Sequence, residues 1–550
     1  MNPSLTRRQF VGRVALGVGA MTLLDRGTAI ARSSPEFDIM LNDDGGFSFT
    51  DSDPKRTDAA LRAMIRSLAG TAVKTLIYQV AAGSDTMLYP TKVGSVWGWR
   101  KAAGENVPPW DTKMPILRAA SANGLDAGRI AGEQAKAMGL FFMPGYRMND
   151  AHFAANPFDH PATGQFWIEN HNRFKIGHAP SEQTAFVANL LDYTHAEVRA
   201  YRLALLFEII DRYADIMDGL QLDFMRQPFL FPPGTGEERH GLMTELVAQV
   251  RAKLDEAGQR QSRFLPLSVR IPTTVRACRW AGLDINAWLQ RCLVNALVLA
   301  PAMTLAHDMP VDEFVALAKP AGAKVFAAVC RSTPFIWPFT AKPTAESYRH
   351  GARRTVTAAQ VRGAALNHLF MGADGFEMYN FNLPPVPYTL DAIAALAKPR
   401  NGDRIYAITQ AYSPDREDIL GYRKQIPVSL SPASPVALTM IVGEDLAGRS
   451  IALRLGLHGL RKQQPDIAIE VNGRRIYGGP LRNIATPVSG RESRPSKHNP
   501  PRVETYLQVG VPDGNIFRAG RNKVALQLQS SDARATIQVV EVQLAVLNQP

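Results

Sequence analysis

Four short stretches of this chain set acids, arginines, asparagines and a histidine directly behind apolar runs. The first is Asn42-Asp43-Asp44-Gly45-Gly46, where two carboxylates precede a flexible glycine pair, so Asp43 or Asp44 is a candidate catalytic acid. The second is Tyr146-Arg147-Met148-Asn149-Asp150-Ala151-His152. A histidine titrates near neutral pH, which suits His152 to general acid or base work, with Arg147, Asn149 and Asp150 as substrate ligands. The third is Asp218-Gly219-Leu220-Gln221-Leu222-Asp223-Phe224-Met225-Arg226. Strand periodicity puts Gln221 and Asp223 on one face. Asp223 can then orient a catalytic group or bind hydroxyls, or else form a buried ion pair with Arg226 or Arg270. The fourth is Gly375-Phe376-Glu377-Met378-Tyr379-Asn380-Phe381-Asn382, with Glu377 and Tyr379 on one face and Asn380 and Asn382 at the strand's end. Arg270 and Arg331 add positive charge behind two further apolar runs. The chemistry on offer is acid–base catalysis beside arginines able to hold an anion.

These strings need strands that end at a common rim. From Glu36 to about Arg400, short apolar runs alternate with amphipathic helical stretches, giving eight strand–helix pairs. The predicted strands are 37–42, 75–80, 140–146, 219–224, 264–271, 294–299, 324–330 and 375–380. Eight in one run is the count of a closed (β/α)₈ TIM barrel, whose active site forms at the C-terminal ends of the strands. No GxGxxG follows the first strand, which argues against a doubly wound sheet. The connections after the second and third strands are long. They are read as loops carrying Trp97, Trp99 and Trp110, then Phe166, Trp167 and His171, as packing or as sugar-stacking walls. After Pro399 only short strands with Gly, Asn and Pro turns remain, so 425–550 reads as a C-terminal β-sandwich and 32–405 as the barrel.

The first 31 residues read as a twin-arginine signal peptide: Thr6-Arg7-Arg8-Gln9-Phe10, a mild apolar run to Leu24, then Ala29-Ile30-Ala31. The expected location is periplasmic or secreted, by way of the twin-arginine export machinery, with no integral membrane segment after cleavage. The chain carries a net charge of +12, of which +3 belongs to this segment. Arg482, Arg491, Arg494, Lys497 and Arg502 crowd one polar stretch. Export makes nucleic acid the weakest partner for that charge. Cys278, Cys292 and Cys330 make no CxxC pair and read as small buried hydrophobes. No metal site, cofactor motif, GxSxG elbow or P-loop is present, so neither metal nor cofactor is expected.

The run Asp218-Gly-Leu-Gln-Leu-Asp223 resembles the DGxxxD strand of chitinase-like glycoside hydrolase barrels, although Met225 stands where those enzymes carry their acid. A closer resemblance is to the inverting sialidases of glycoside hydrolase family 156. Asp44 (or Asp43), Arg147, His152, Arg226 and Asn380 (or Asn382) follow that family's order and spacing. The resemblance implies a catalytic Asp after strand one, a catalytic His after strand three, and arginines that bind the sugar carboxylate. The resulting expectation is a glycoside hydrolase on an acidic sugar, with an inverting exo-sialidase as its finest form. The alternative is a non-catalytic carbohydrate-binding barrel of the cell envelope.

Overall fold

The computed structural model describes residues 38–45, 53–83, 85–102, 106, 110–150, 157–180, 182–301, 305–333, 354–379, 381, 390–408, 425–458, 466–476, 482–484, 505–511, 513–529 and 535–547. Eight parallel strands close into a barrel: β1 (Asp38–Asp43), β2 (Thr75–Gln79), β3 (Phe141–Arg147), β4 (Leu220–Asp223), β5 (Leu267–Ile271), β6 (Ala296–Leu299), β7 (Lys324–Cys330) and β8 (Gly375–Tyr379). The last pairs with the first, Asn42 opposite Tyr379. Helices lie between the strands, so the (β/α)₈ barrel is as expected.

Alternation along each strand divides the barrel into two cores. Ile39, Leu41, Leu76, Tyr78, Leu220, Leu222, Val269, Ile271, Leu297, Leu299, Phe376 and Met378 point outward into the layer shared with the helices. The opposite positions point inward. There Met40, Ile77, Val298, Ala300, Phe326 and Ala328 pack with Met225. The inward positions towards the C-terminal ends of β1, β2, β4, β5 and β8 are polar instead: Asn42, Gln79, Gln221, Asp223, Arg270 and Glu377, all buried. One wall of the upper barrel is therefore apolar, from β6 and β7, and the rest is built of charge and amide.

The long connections hold more structure than their composition suggests. Trp110–Ala122, with Pro115 inside it, and Gln165–Phe174 are helices rather than loops. Trp97 and Trp167 are buried packing residues, while Trp99 and Phe158 remain exposed. Cys278 and Cys330 are buried as expected, but Cys292, in the surface turn after the helix Ile285–Gln290, is exposed.

Two antiparallel sheets form the C-terminal β-sandwich around a second core. Arg404–Ala407 already pairs with the final strand, Ile537–Leu547, so position 405 lies within the first strand of that sheet. The sandwich docks on the helix Ala358–Phe370. Asn367 donates to the carbonyls of His307 (2.8 Å) and Ile441 (3.0 Å). Gly443 meets the same helix so closely that a Cβ there would lie 2.1 Å from the Leu366 carbonyl oxygen. No described helix is long and apolar enough to cross a membrane.

Two buried histidines sit at this junction. Burial, reinforced by His368, takes His307 down to about 3. Burial takes His368 down to about 4 although its Nε2 bonds the Ala306 carbonyl at 3.0 Å. An unfolded histidine titrates near 6.5, so below that pH the unfolded chain binds more protons than the folded one. This contribution is complete above about pH 6.5 and is lost as pH falls towards 4. The melting temperature should therefore drop between pH 7.5 and 5, with most of the drop removed in a His307→Asn/His368→Asn protein. A drop of the same size in that double variant would assign it to other groups.

Candidate active site

At the upper rim, Arg147, Asp223 and Arg270 lie in register on the neighbouring strands β3, β4 and β5. Alternating charge across adjacent strands lets each cation meet an acid. Arg270 is buried and places Nη1 3.2 Å from Asp223 Oδ1 and Nε 2.9 Å from Glu377 Oε1. Its guanidinium covers the ring of Tyr379, 3.9 Å from the centroid. Asp223 also accepts from the backbone N–H groups of Met225 (2.8 Å) and Arg226 (3.1 Å). Glu377 accepts from Gln221 at 2.5 Å, Gln221 from Asn42 at 2.9 Å, and Asn42 from Gln79 at 3.1 Å. Burial raises the Glu377 carboxyl, with Arg270 and Gln221 pulling it back.

Above this network the turn Asp43–Gly45 decides which of the two acids faces the mouth. Asn42 points inward, so Asp43 points outward. Its Oδ1 accepts from the Gly45 N–H at 2.8 Å, and the side chain is buried. Gly45 has φ +71°, and a Cβ there would meet the Gln79 carbonyl oxygen at 2.3 Å, so glycine is required. The turn presents Asp44 on the inner side, 20% exposed and bonded to Arg147 Nη2. Arg147 is itself only 4% exposed and donates through Nη1 to buried Asp150 at 3.2 Å. Burial opposes the charge on Arg147, but Asp44 above all, with Tyr379, Asp150 and Asp223, keeps it protonated. Arg226, 15% exposed, brings Nε to 3.8 Å from the same Asp150 carboxylate. Asp150 thus stands between two guanidinium groups, one sealed and one partly open.

The other sequence candidates divide clearly. Asn149 is a tether, donating to the carbonyls of Leu191 (3.1 Å) and Phe229 (2.8 Å). Gln221, Glu377, Asp223 and Arg270 form the floor beneath the mouth. His152, Asn380 and Asn382 lie outside the described residues. Tyr379 was not among the sequence candidates, although its period-two relation to Glu377 placed it on the inner face. Burial and the Asp44 charge push its phenol up to about 12, against the pull of Arg147, Arg226 and Arg270, so it is a neutral donor. A separate cleft of about 360 Å³ lies between Arg400–Gly402 and Gly448–Ser450, with Leu547 on its wall. It takes no residue from β1–β8, and the acid–base geometry is at the rim, not there.

No family model matches the chain, and no curated protein matches it. Solved structures with a similar chain path include barrel glycoside hydrolases. A Paenibacillus sp. cycloisomaltooligosaccharide glucanotransferase has 10% identity and TM-score 0.31, covering 92% of this chain and 57% of that one. A family GH18 chitinase from Chromobacterium violaceum has 10% identity and TM-score 0.33, covering 92% of each chain. A GH29 alpha-L-fucosidase from Bacteroides thetaiotaomicron has 9% identity and TM-score 0.35, covering 92% and 97%. Likenesses this distant carry no argument about activity, and the fold rests on the strand pairing itself.

Proposed function

We propose that the chain is an exported glycoside hydrolase acting on an acidic sugar, with Asp44 as general base and His152 as general acid. What supports this is the charge arrangement at the mouth: a partly open carboxylate, Asp44, gripped by sealed Arg147, with partly open Arg226 across Asp150. A carboxylate paired with a guanidinium stays ionised and oriented, as a base that activates water must be. Of the two guanidinium groups, Arg226 is the more exposed, and it is the one assigned to the sugar carboxylate. An inverting sialidase of the family 156 kind is the finest form of this reading, with acid and base on opposite sides of the anomeric carbon.

A screen of aryl glycosides that includes a sialoside and a glucuronide tests the reading, with turnover of an acidic member expected. Binding of acidic sugars without turnover would make the barrel a carbohydrate-binding protein, and turnover of neutral glycosides alone would remove the acidic substrate. Arg226→Lys keeps the charge and loses the planar fork. It should lower kcat/KM on the acidic glycoside by roughly ten- to a hundredfold, since a charge-assisted bond contributes about 1.5–3 kcal/mol. A matched substrate with its carboxylate amidated should change little. Equal losses on both substrates would make Arg226 structural. Export predicts a mature chain starting near Arg32, which intact-mass analysis of periplasmic protein checks.

A further inference from the structure

Tyr379 ends β8 at the barrel mouth, 1% exposed, and its hydroxyl makes no hydrogen bond among the described residues and is shut off from bulk water. A buried hydroxyl left in that state is destabilising, so native proteins rarely keep one without a use. Its position is defined on all sides. The Arg270 guanidinium lies against one face of the ring. In register beside it are Asn42 on β1 and Cys330 on β7. Asp44, Arg147 and Arg226 are close enough to act on the phenol's charge. Two of those three, Asp44 and Arg226, are the partly open side chains of the mouth.

We propose that the Tyr379 hydroxyl is a substrate-binding donor, unsatisfied in the empty barrel and aimed at an oxygen of the sugar held between Asp44 and Arg226. This rests on the glycoside hydrolase reading and adds a ligand to it. The phenol stays protonated in this surrounding, so it gives a hydrogen bond and takes no proton from water. The oxygen it serves is therefore a neutral acceptor, a hydroxyl or ring oxygen of the sugar. A hydroxyl that bonds only the ligand contributes to binding and nothing to the stability of the empty protein.

That asymmetry is the test. Tyr379→Phe deletes the hydroxyl and keeps the ring that Arg270 covers. Thermal melting of the ligand-free variant should equal or exceed that of the wild type. Calorimetric affinity for free glucuronate or N-acetylneuraminate, whichever the wild type binds, should fall about two- to twelvefold, the value of one neutral hydrogen bond of about 0.5–1.5 kcal/mol. The kcat/KM on the glycoside turned over should fall at least as far. A melting temperature several degrees lower would show that the hydroxyl is structural and overturn the proposal. Unchanged affinity and kcat/KM would overturn it equally. If the wild type binds and turns over only neutral glycosides, the acidic-sugar reading fails, and the same comparison on those glycosides still decides the role of Tyr379.

Discussion

Asp44→Asn is expected to lower kcat by about 10²–10⁴, the range that removal of a general acid or base costs. The amide keeps an oxygen for Arg147 Nη2 and loses the charge that takes up a proton from water. Arg147 retains Asp150 at 3.2 Å, so its own charge is not stranded, and the barrel should melt within a few degrees of the wild type. KM should move less than kcat, because the charge lost with Asp44 acts on the attacking water, while the amide keeps its place beside the bound sugar. His152→Ala should match it in kcat, and the double variant should lose much less than the product of the two, as groups acting in one step do. Asp43→Asn serves as the contrast: its carboxylate faces outward and holds the Gly45 N–H, so its effect should fall on stability. A kcat within threefold of wild type for Asp44→Asn would remove Asp44 from the chemistry.

The barrel was legible in the sequence because each strand is buried on both faces and so reads as an apolar run, punctuated by polar residues where it reaches the rim. The helices Trp110–Ala122 and Gln165–Phe174 were not legible. One carries Pro115, and the other buries only Trp167 and Phe174 of its ten residues, so neither shows a sustained apolar stripe. Within the site, period two correctly joined Gln221 to Asp223 and Glu377 to Tyr379, because alternation is a property of the strand alone. It left Asp43 and Asp44 unresolved, since the strand ends between them and a turn, not the pleat, sets their directions. The buried pair of Asp223 with Arg270 was one of the alternatives that the sequence offered, but the pair at the turn was beyond reach for a different reason. Asp44 and Arg147 lie 103 residues apart, and their meeting depends on closing the barrel. The role of Tyr379 has no sequence signature, because an unbonded hydroxyl reads like any other tyrosine on a strand.

Arg270→Met should be the most destabilising single change at the site. The guanidinium is the cation shared by two buried acids, Asp223 at 3.2 Å and Glu377 at 2.9 Å, all three side chains being inaccessible to solvent. Removing one partner of a buried pair strands the other, which costs about 3–5 kcal/mol. At roughly 2–4 °C per kcal/mol, the melting temperature should fall by on the order of 10 °C. Asp223 keeps two backbone N–H donors, whereas Glu377 has Gln221. Glu377 is thus the acid expected to protonate, and burial already raises it. A carboxyl whose folded pKa lies above its unfolded value contributes stability below the unfolded value and loses it as pH rises through the folded one. The deficit of Arg270→Met relative to wild type should therefore be larger at pH 8 than at pH 5. Taking the difference between the two proteins cancels the acid-side loss from His307 and His368, which has the opposite sign. Adding Glu377→Gln to Arg270→Met should recover part of the loss and flatten its pH dependence, because a neutral amide needs no cation. If Arg270→Met melts within 2 °C of wild type at pH 8, or Glu377→Gln makes it worse, charge pairing is not what holds the floor of this site.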